Sequence, residues 1–166
     1  MHFILISIGS NIDREKHTRN GVKGLFEHFQ DVQLSSVYES EAVGFDGKPF
    51  FNLVASARTP HDISAVCKIL KAIERDNGRV PSEKKFAPRT LDLDLLTYDQ
   101  QITTQPVHLP RDEITYNAFV LQPLSELVPN HKHPVEGDTY AELWQHYDKS
   151  KQRLWPVDFS WSDSEQ

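Results

Sequence analysis

The sequence predicts an α+β domain with helices packed on an antiparallel sheet, and three observations carry that expectation. Four segments are apolar in runs of strand length, and two others carry apolar residues at three- and four-residue spacing. Their order along the chain is strand, helix, strand, strand, helix, strand. The 166 residues fit one domain, expected over 1–148, with a tail at 149–166. A chain of this length buries roughly two-thirds of its unfolded surface, so its core needs no covalent staple.

The run Phe3-Ile4-Leu5-Ile6-Ser7-Ile8 is almost continuously apolar, the pattern of a strand covered on both faces. Gly9-Ser10-Asn11 ends it, and Asp13 is placed to cap a helix whose Thr18, Val22, Leu25, Phe26 and Phe29 form a stripe. Gly21 and Gly24 weaken that helix by about 1 kcal/mol each relative to alanine. Residues 32–39 read as a second strand, followed over 40–49 by a Gly-containing loop too long for a tight turn. Residues 50–57 (FFNLVASA) read as a third strand. Pro60 and Asp62 open the second helix, Ile63, Val66, Cys67, Ile69, Leu70 and Ile73 form its stripe, and Gly78 stops it. A basic loop over 79–89 carries Arg79, Lys84, Lys85 and Arg89, and residues 91–98 (LDLDLLTY) alternate as a fourth strand. This is the ferredoxin-like βαββαβ order. Further on, 106–109 and 118–121 are expected as short strands and 139–146 as a short helix. The tail is either disordered or pinned by Trp155, Phe159 and Trp161.

Composition removes several function classes. With 18 Lys+Arg against 24 Asp+Glu, the net charge of −6 argues against a protein whose main work is holding nucleic acid. No apolar run reaches the ~18–20 residues of a membrane-spanning helix, and the first residues lack the pattern of a signal peptide. The single cysteine, Cys67, excludes an internal disulfide framework and falls on a helix stripe as an inert core residue. A reduced, cytoplasmic location is expected.

Asp92 and Asp94 carry the most chemistry. Aspartate is depleted in strands, and i, i+2 spacing puts both carboxylates on one face, roughly 7 Å apart along the backbone. Two anions that close repel by roughly 2–3 kcal/mol at an effective dielectric near 20. A solvated strand face is one explanation. The other is a magnesium site, since that ion takes one or two carboxylates plus substrate phosphates. Arg79 and Arg89, at the two ends of the basic loop, favour the second, because guanidinium forks suit phosphate oxygens. Glu74 is either a surface acid or an acceptor for a nucleotide. Phe50 and Asn52 share a strand face, either as core or as a platform and amide for a flat heterocycle. Phe119 could add a second platform. His131 and His133 flank Lys132 near two prolines, and a surface loop explains them better than a metal does. No P-loop is present.

Taken in order, Ile8-Gly9-Ser10-Asn11, Ser36-Val37-Tyr38 with Glu41 and Gly44, Phe50-Phe51-Asn52, Ile73-Glu74 with Gly78-Arg79, Pro88-Arg89-Thr90-Leu91-Asp92-Leu93-Asp94, and Phe119-Val120-Leu121 with Pro123-Leu124 form a pattern. In these motifs, spread over about residues 4–129, the chain resembles the 6-hydroxymethyl-7,8-dihydropterin pyrophosphokinases of folate biosynthesis. The resemblance implies a ferredoxin-like fold and Mg-dependent transfer of the terminal diphosphate of ATP to the pterin's hydroxymethyl group, releasing AMP. It implies that Asp92 and Asp94 hold two magnesium ions and that Phe50 and Phe119 sandwich the pterin while Asn52 reads its edge. It also implies that Glu74 and Phe86 serve ATP, Phe86 standing where the family usually has tryptophan, and that Arg79 and Arg89 act on the phosphates.

One segment departs from the family. Arg111 stands where a histidine is usual and Asn117 where an arginine is usual, both on the ATP side. Arg111 is expected to supply ATP-binding charge from a new direction. The second expectation is therefore a paralogue with weakened or altered activity that binds pterin or nucleotide as a module. In either case the partners are small molecules, with no nucleic acid or membrane, and a monomer is expected.

Overall fold

Strand β1 (His2–Ser10) runs through the middle of the molecule, sending Ile4, Ile6 and Ile8 into one apolar core and Leu5 into a second. Its unbroken apolar run is thus explained by two covered faces. In the computed structural model, which describes residues 1–40, 49–78 and 91–161, β1 lies between β4 (Phe50–Thr59) and β5 (Asp92–Tyr98), antiparallel to both. The sheet continues through β3 (Val37–Ser40) to β6 (Leu154–Val157), giving the order β5-β1-β4-β3-β6, with β2 (Gln30–Leu34) also pairing with β4.

Helices α1 (Arg14–His28) and α2 (Ile63–Asp76) cover the first core, where Val22, Leu25, Val66, Leu70 and Ile73 join Ile4, Ile6, Ile8, Leu53 and Leu93 of the sheet. The ferredoxin-like α+β fold is therefore present. Asp62 caps α2 by accepting from the Ala65 N–H at 2.8 Å, and Gly78 follows its end at φ 84, where a side chain would be strained. The second face is covered by α3 (Ala118–Leu127) and α4 (Tyr140–His146), whose Val120, Leu121, Leu124 and Tyr140 join Leu5, Val54 and Leu96. No helix among the described residues is long and apolar enough to cross a membrane.

Five expectations need correction. Residues 118–121 are the first turn of α3, because Asn117 caps them by accepting from the Phe119 N–H at 3.0 Å. The segment 106–109 contributes only a Thr103–Leu109 bridge; Pro106 has no N–H for a ladder, and the Thr103 hydroxyl closes a turn on Gln105. The strand expected over 32–39 is two strands, broken at Ser35 and Ser36, where the Ser36 N–H turns to the Glu126 carboxylate. Asp13 stands at the start of α1 in a left-handed conformation, and its side chain makes no cap bond. Phe26 is 55% exposed and leaves the α1 stripe.

The tail is pinned. Leu154 to Val157 pair with β3, and Phe159 packs edge-on against Phe51 with ring centroids 5.5 Å apart.

Candidate active site

The register of the sheet lines the candidate residues up in rows. Asp92 of β5 lies opposite Gly9 of β1, Gly9 opposite Asn52 of β4, and Asn52 opposite Tyr38 of β3. Residues opposed in this way project to the same face. In the next row Asp94 lies opposite Ser7, and Ser7 opposite Val54. Both aspartates, Asn52 and Phe50 therefore share the face on which α3 packs, while Leu93 and Leu95 enter the opposite core. Gly9 keeps the middle of the row open. A Cβ there would sit 3.4 Å from Asn52 Oδ1 and 3.7 Å from the Phe50 ring, filling the gap between carboxylate and amide.

Each side chain is held by its neighbours. Asn52 donates through Nδ2 to the Ser40 hydroxyl at 2.8 Å, which sets the direction of its amide. Glu74, at the end of α2, accepts from the Leu93 N–H at 2.7 Å, tying the helix to the peptide between the two aspartates. Beside the edge strand the Arg111 N–H donates to the Leu96 carbonyl, and the guanidinium lies 3.7 Å from Asp94 and 3.5 Å from Glu113. Burial and the Asp92 carboxylate push Asp94 up to about 7 despite Arg111. Burial works against the charge on Arg111 as well, but Asp94, Glu113 and Asp92 outweigh it and hold the guanidinium firmly protonated.

A divalent cation fits this donor set. Two crowded carboxylates on one face, one driven toward its neutral form by the other and by burial, are relieved by a cation between them. No group of three or more His, Cys, Asp or Glu side chains among the described residues is arranged to hold a metal. Two carboxylates completed by water and phosphate oxygens form the set magnesium takes.

Of the residues singled out from sequence, Phe50, Asn52, Glu74, Asp92, Asp94, Arg111 and Phe119 are described. Phe119, half-buried, stands in the first turn of α3. Arg79, Phe86 and Arg89 lie outside the described residues, as do Glu41 and Gly44. Asn117, where an arginine was expected by resemblance, spends its side chain capping α3. His133 is a buried loop residue whose Nδ1 accepts from the Val135 and Glu136 N–H groups, and burial pushes the thiol of Cys67 up, in keeping with an inert role. An open cavity of about 580 Å³ adjoins the outer side of Arg111, with His108, Asp112, His133 and Glu136 in its wall.

Several supporting residues were missed. Glu126 of α3 accepts from the Tyr38 hydroxyl at 2.7 Å and from Ser36, fixing the helix over the site face. Arg14 pairs with Glu39 at 2.6 Å and donates to the Pro49 carbonyl at 2.9 Å, holding the entry to β4. None of these contacts left a trace in the sequence, because each joins residues far apart in the chain.

The fold defines a class, the α+β proteins of ferredoxin-like architecture. Residues 5–129 match the family model described as 7,8-dihydro-6-hydroxymethylpterin-pyrophosphokinase. Among curated relatives, the 2-amino-4-hydroxy-6-hydroxymethyldihydropteridine pyrophosphokinase of Aquifex aeolicus is 32% identical, covering 81% of this chain and 86% of its own. The enzyme of the same name from Bacillus subtilis is 34% identical over 74% of this chain and 75% of its own. The solved HPPK-DHPS structure with bound substrates superposes with a TM-score of 0.71 at 12% identity, covering 90% of this chain and 44% of that one, a likeness of fold. The chain thus spans less than half of that solved protein. This chain belongs to the 7,8-dihydro-6-hydroxymethylpterin-pyrophosphokinase family, and it is an enzyme with pyrophosphokinase activity in folate biosynthesis.

Proposed function

We propose that the site transfers the terminal diphosphate of ATP to the hydroxymethyl oxygen of 6-hydroxymethyl-7,8-dihydropterin. The pterin oxygen bonds to the β-phosphorus as the bond from that phosphorus to the AMP oxygen breaks, and the hydroxyl proton leaves. The observation that carries this reading is the cross-sheet row in which Asp92 and Asn52 flank the open position of Gly9. The Asp92 carboxylate on one side of Gly9 and the Asn52 amide on the other support a site that handles phosphate and a flat heterocycle together.

In this reading Asp92 and Asp94 hold two magnesium ions, which supply Lewis-acid neutralisation of the phosphate charge. Asn52, oriented by Ser40, bonds the pterin edge, and Phe50 and Phe119 stack on its faces. Glu74 holds the strand between the two aspartates through the Leu93 N–H, and beyond that bond it serves the nucleotide with Phe86. Arg111 meets a phosphate, and Arg79 and Arg89 stabilise the charge that develops in transfer. Most of the acceleration then comes from positioning and electrostatics. The enzyme works as a cytoplasmic monomer on small molecules, without nucleic acid.

The test is AMP release measured with and without magnesium and the pterin. Release should require both and should fall at least 10³-fold in Asp92→Ala and Asp94→Ala, as loss of strong electrostatic stabilisation does. No AMP from folded wild-type protein with both substrates sinks the reading. The engagement of Asn117 as a helix cap is the observation behind the second reading, a paralogue with weakened or altered activity that binds pterin or nucleotide, which calorimetry would reveal as tight pterin binding with little turnover of ATP.

A further inference from the structure

We infer that Gln152, in the C-terminal tail, is a positioning residue for the pterin side of the site, and that the tail ties the two walls of that side together. The inference rests on the assignment of Asn52 and Phe119 to the pterin.

The first N–H groups of a helix have no partner within it. In α3 the Phe119 N–H is satisfied locally by Asn117, but the Ala118 N–H is satisfied from 34 residues downstream, by Gln152 Oε1. The Tyr147 hydroxyl lies 2.9 Å from the same oxygen and 2.8 Å from the Tyr116 carbonyl, two acceptors that share its one proton, while its own oxygen is a further acceptor for the Ala118 N–H. The peptide leading into Phe119 is therefore held from the tail.

Two residues later the tail enters the sheet. Leu154 lies opposite Ser40 and Pro156 opposite Tyr38. Ser40 is the acceptor that orients the Asn52 amide, and Tyr38 lies opposite Asn52 itself. Within six residues, 152–157, the tail thus touches the support of Phe119 on one side and the support of Asn52 on the other. Its far end is fastened across the sheet edge, where Phe159 meets Phe51 and the Ser160 carbonyl accepts from Arg19 at 2.9 Å. Among the described residues the aspartates sit on β5, at the opposite end of the strand order from β6, so the strand pairing of the tail is remote from the carboxylates.

A glutamate at position 152 keeps the carbonyl-type acceptor for Ala118, whereas a leucine of similar size removes it and leaves that N–H only the Tyr147 hydroxyl. Dissociation constants for the pterin and for a non-hydrolysable ATP analogue should be measured with magnesium in wild-type, Gln152→Leu and Gln152→Glu proteins. We expect Gln152→Leu to weaken pterin binding about tenfold with nucleotide affinity unchanged within about twofold, and Gln152→Glu to stay near wild type. If Gln152→Leu does not fold, Tyr147→Phe, which removes the hydroxyl shared by Gln152, Tyr116 and Ala118, should give a smaller loss confined to the pterin. Equal pterin affinity in the wild-type and leucine proteins overturns the inference, and so does a parallel loss of both ligands. Failure of the wild-type protein to bind the pterin at all instead overturns the assignment of the site.

Discussion

At Arg111 a single side chain faces two demands. It neutralises Asp94 from 3.7 Å and is itself held by Glu113 at 3.5 Å, so with no cation present it acts as the counter-charge of the carboxylates. A magnesium ion entering there meets a like charge a few ångströms away, a repulsion of roughly 5–8 kcal/mol for a doubly charged ion at an effective dielectric near 20, reduced by solvent around the partly exposed guanidinium. Phosphates of ATP would draw the guanidinium the other way. Arg111→Ala should therefore raise the KM for ATP about tenfold while tightening binding of manganese to the nucleotide-free protein several-fold. Manganese titration followed by electron paramagnetic resonance, beside steady-state kinetics, checks both halves. A loss of metal affinity in the variant would show that Arg111 supports the carboxylates and does not compete with the cation.

Helix α1 shows how element packing overrides local preference. Glycine at 21 and 24 costs helix propensity, yet a Cβ on Gly21 would meet Leu91 Cδ1 at 2.9 Å, and one on Gly24 would meet Ile73 Cδ1 at 3.0 Å. Leu91 is fully buried at the start of the aspartate strand and has nowhere to go without repacking. Gly21→Ala should thus destabilise by about 1 kcal/mol where propensity alone predicts a gain of that size. Asn20→Ala, on the exposed face of the same helix, should stabilise by about 0.5 kcal/mol. Urea midpoints of the two variants decide it, and a more stable Gly21→Ala would mean that Leu91 has room to yield. The same contrast explains what could be read beforehand. Elements with a long period, such as α2 and β1, were legible, as was the pairing of Asp92 with Asp94 on one face. The first turn of α3 was not, because four apolar residues fit a strand or a helix equally well until Asn117 is seen to cap them. The break at Ser35–Ser36 was hidden because the competing partner, Glu126, is 90 residues away. Asn52 stood out by type, while Gln152 did not, since its work depends on a helix end that only the fold brings to it.

Across the whole molecule the response to pH is a sum of groups that pull in different directions. His133 is buried, its Nδ1 accepts from two backbone N–H groups at 3.1 Å each, and it packs 6.4 Å from the Tyr140 ring. Burial holds its pKa below the usual value of 6.5, partly offset by Glu136. The unfolded chain therefore binds a proton that the folded protein resists, so this contribution is fully present above about pH 6.5 and is lost as pH falls through the folded value. Asp94 has the opposite sign in the metal-free protein. Its raised pKa gives a contribution present below its unfolded value of 3.8 and lost as pH rises through about 7. Asp99 belongs to another window. Burial raises it, yet the Phe3 N–H and the His2 ring hold it below the ordinary carboxylate range, so its contribution is lost only under strong acid. Between pH 7.5 and 5.5 the first two groups oppose each other, and the Tm of wild-type protein alone cannot separate them. His133→Asn keeps an acceptor near the Nδ1 position and removes the titration. The difference in Tm between wild type and variant, both metal-free, cancels the aspartate. That difference should shift against the wild type steadily as pH falls below 6.5 and level off above it; a difference independent of pH would place the cost of His133 in packing alone.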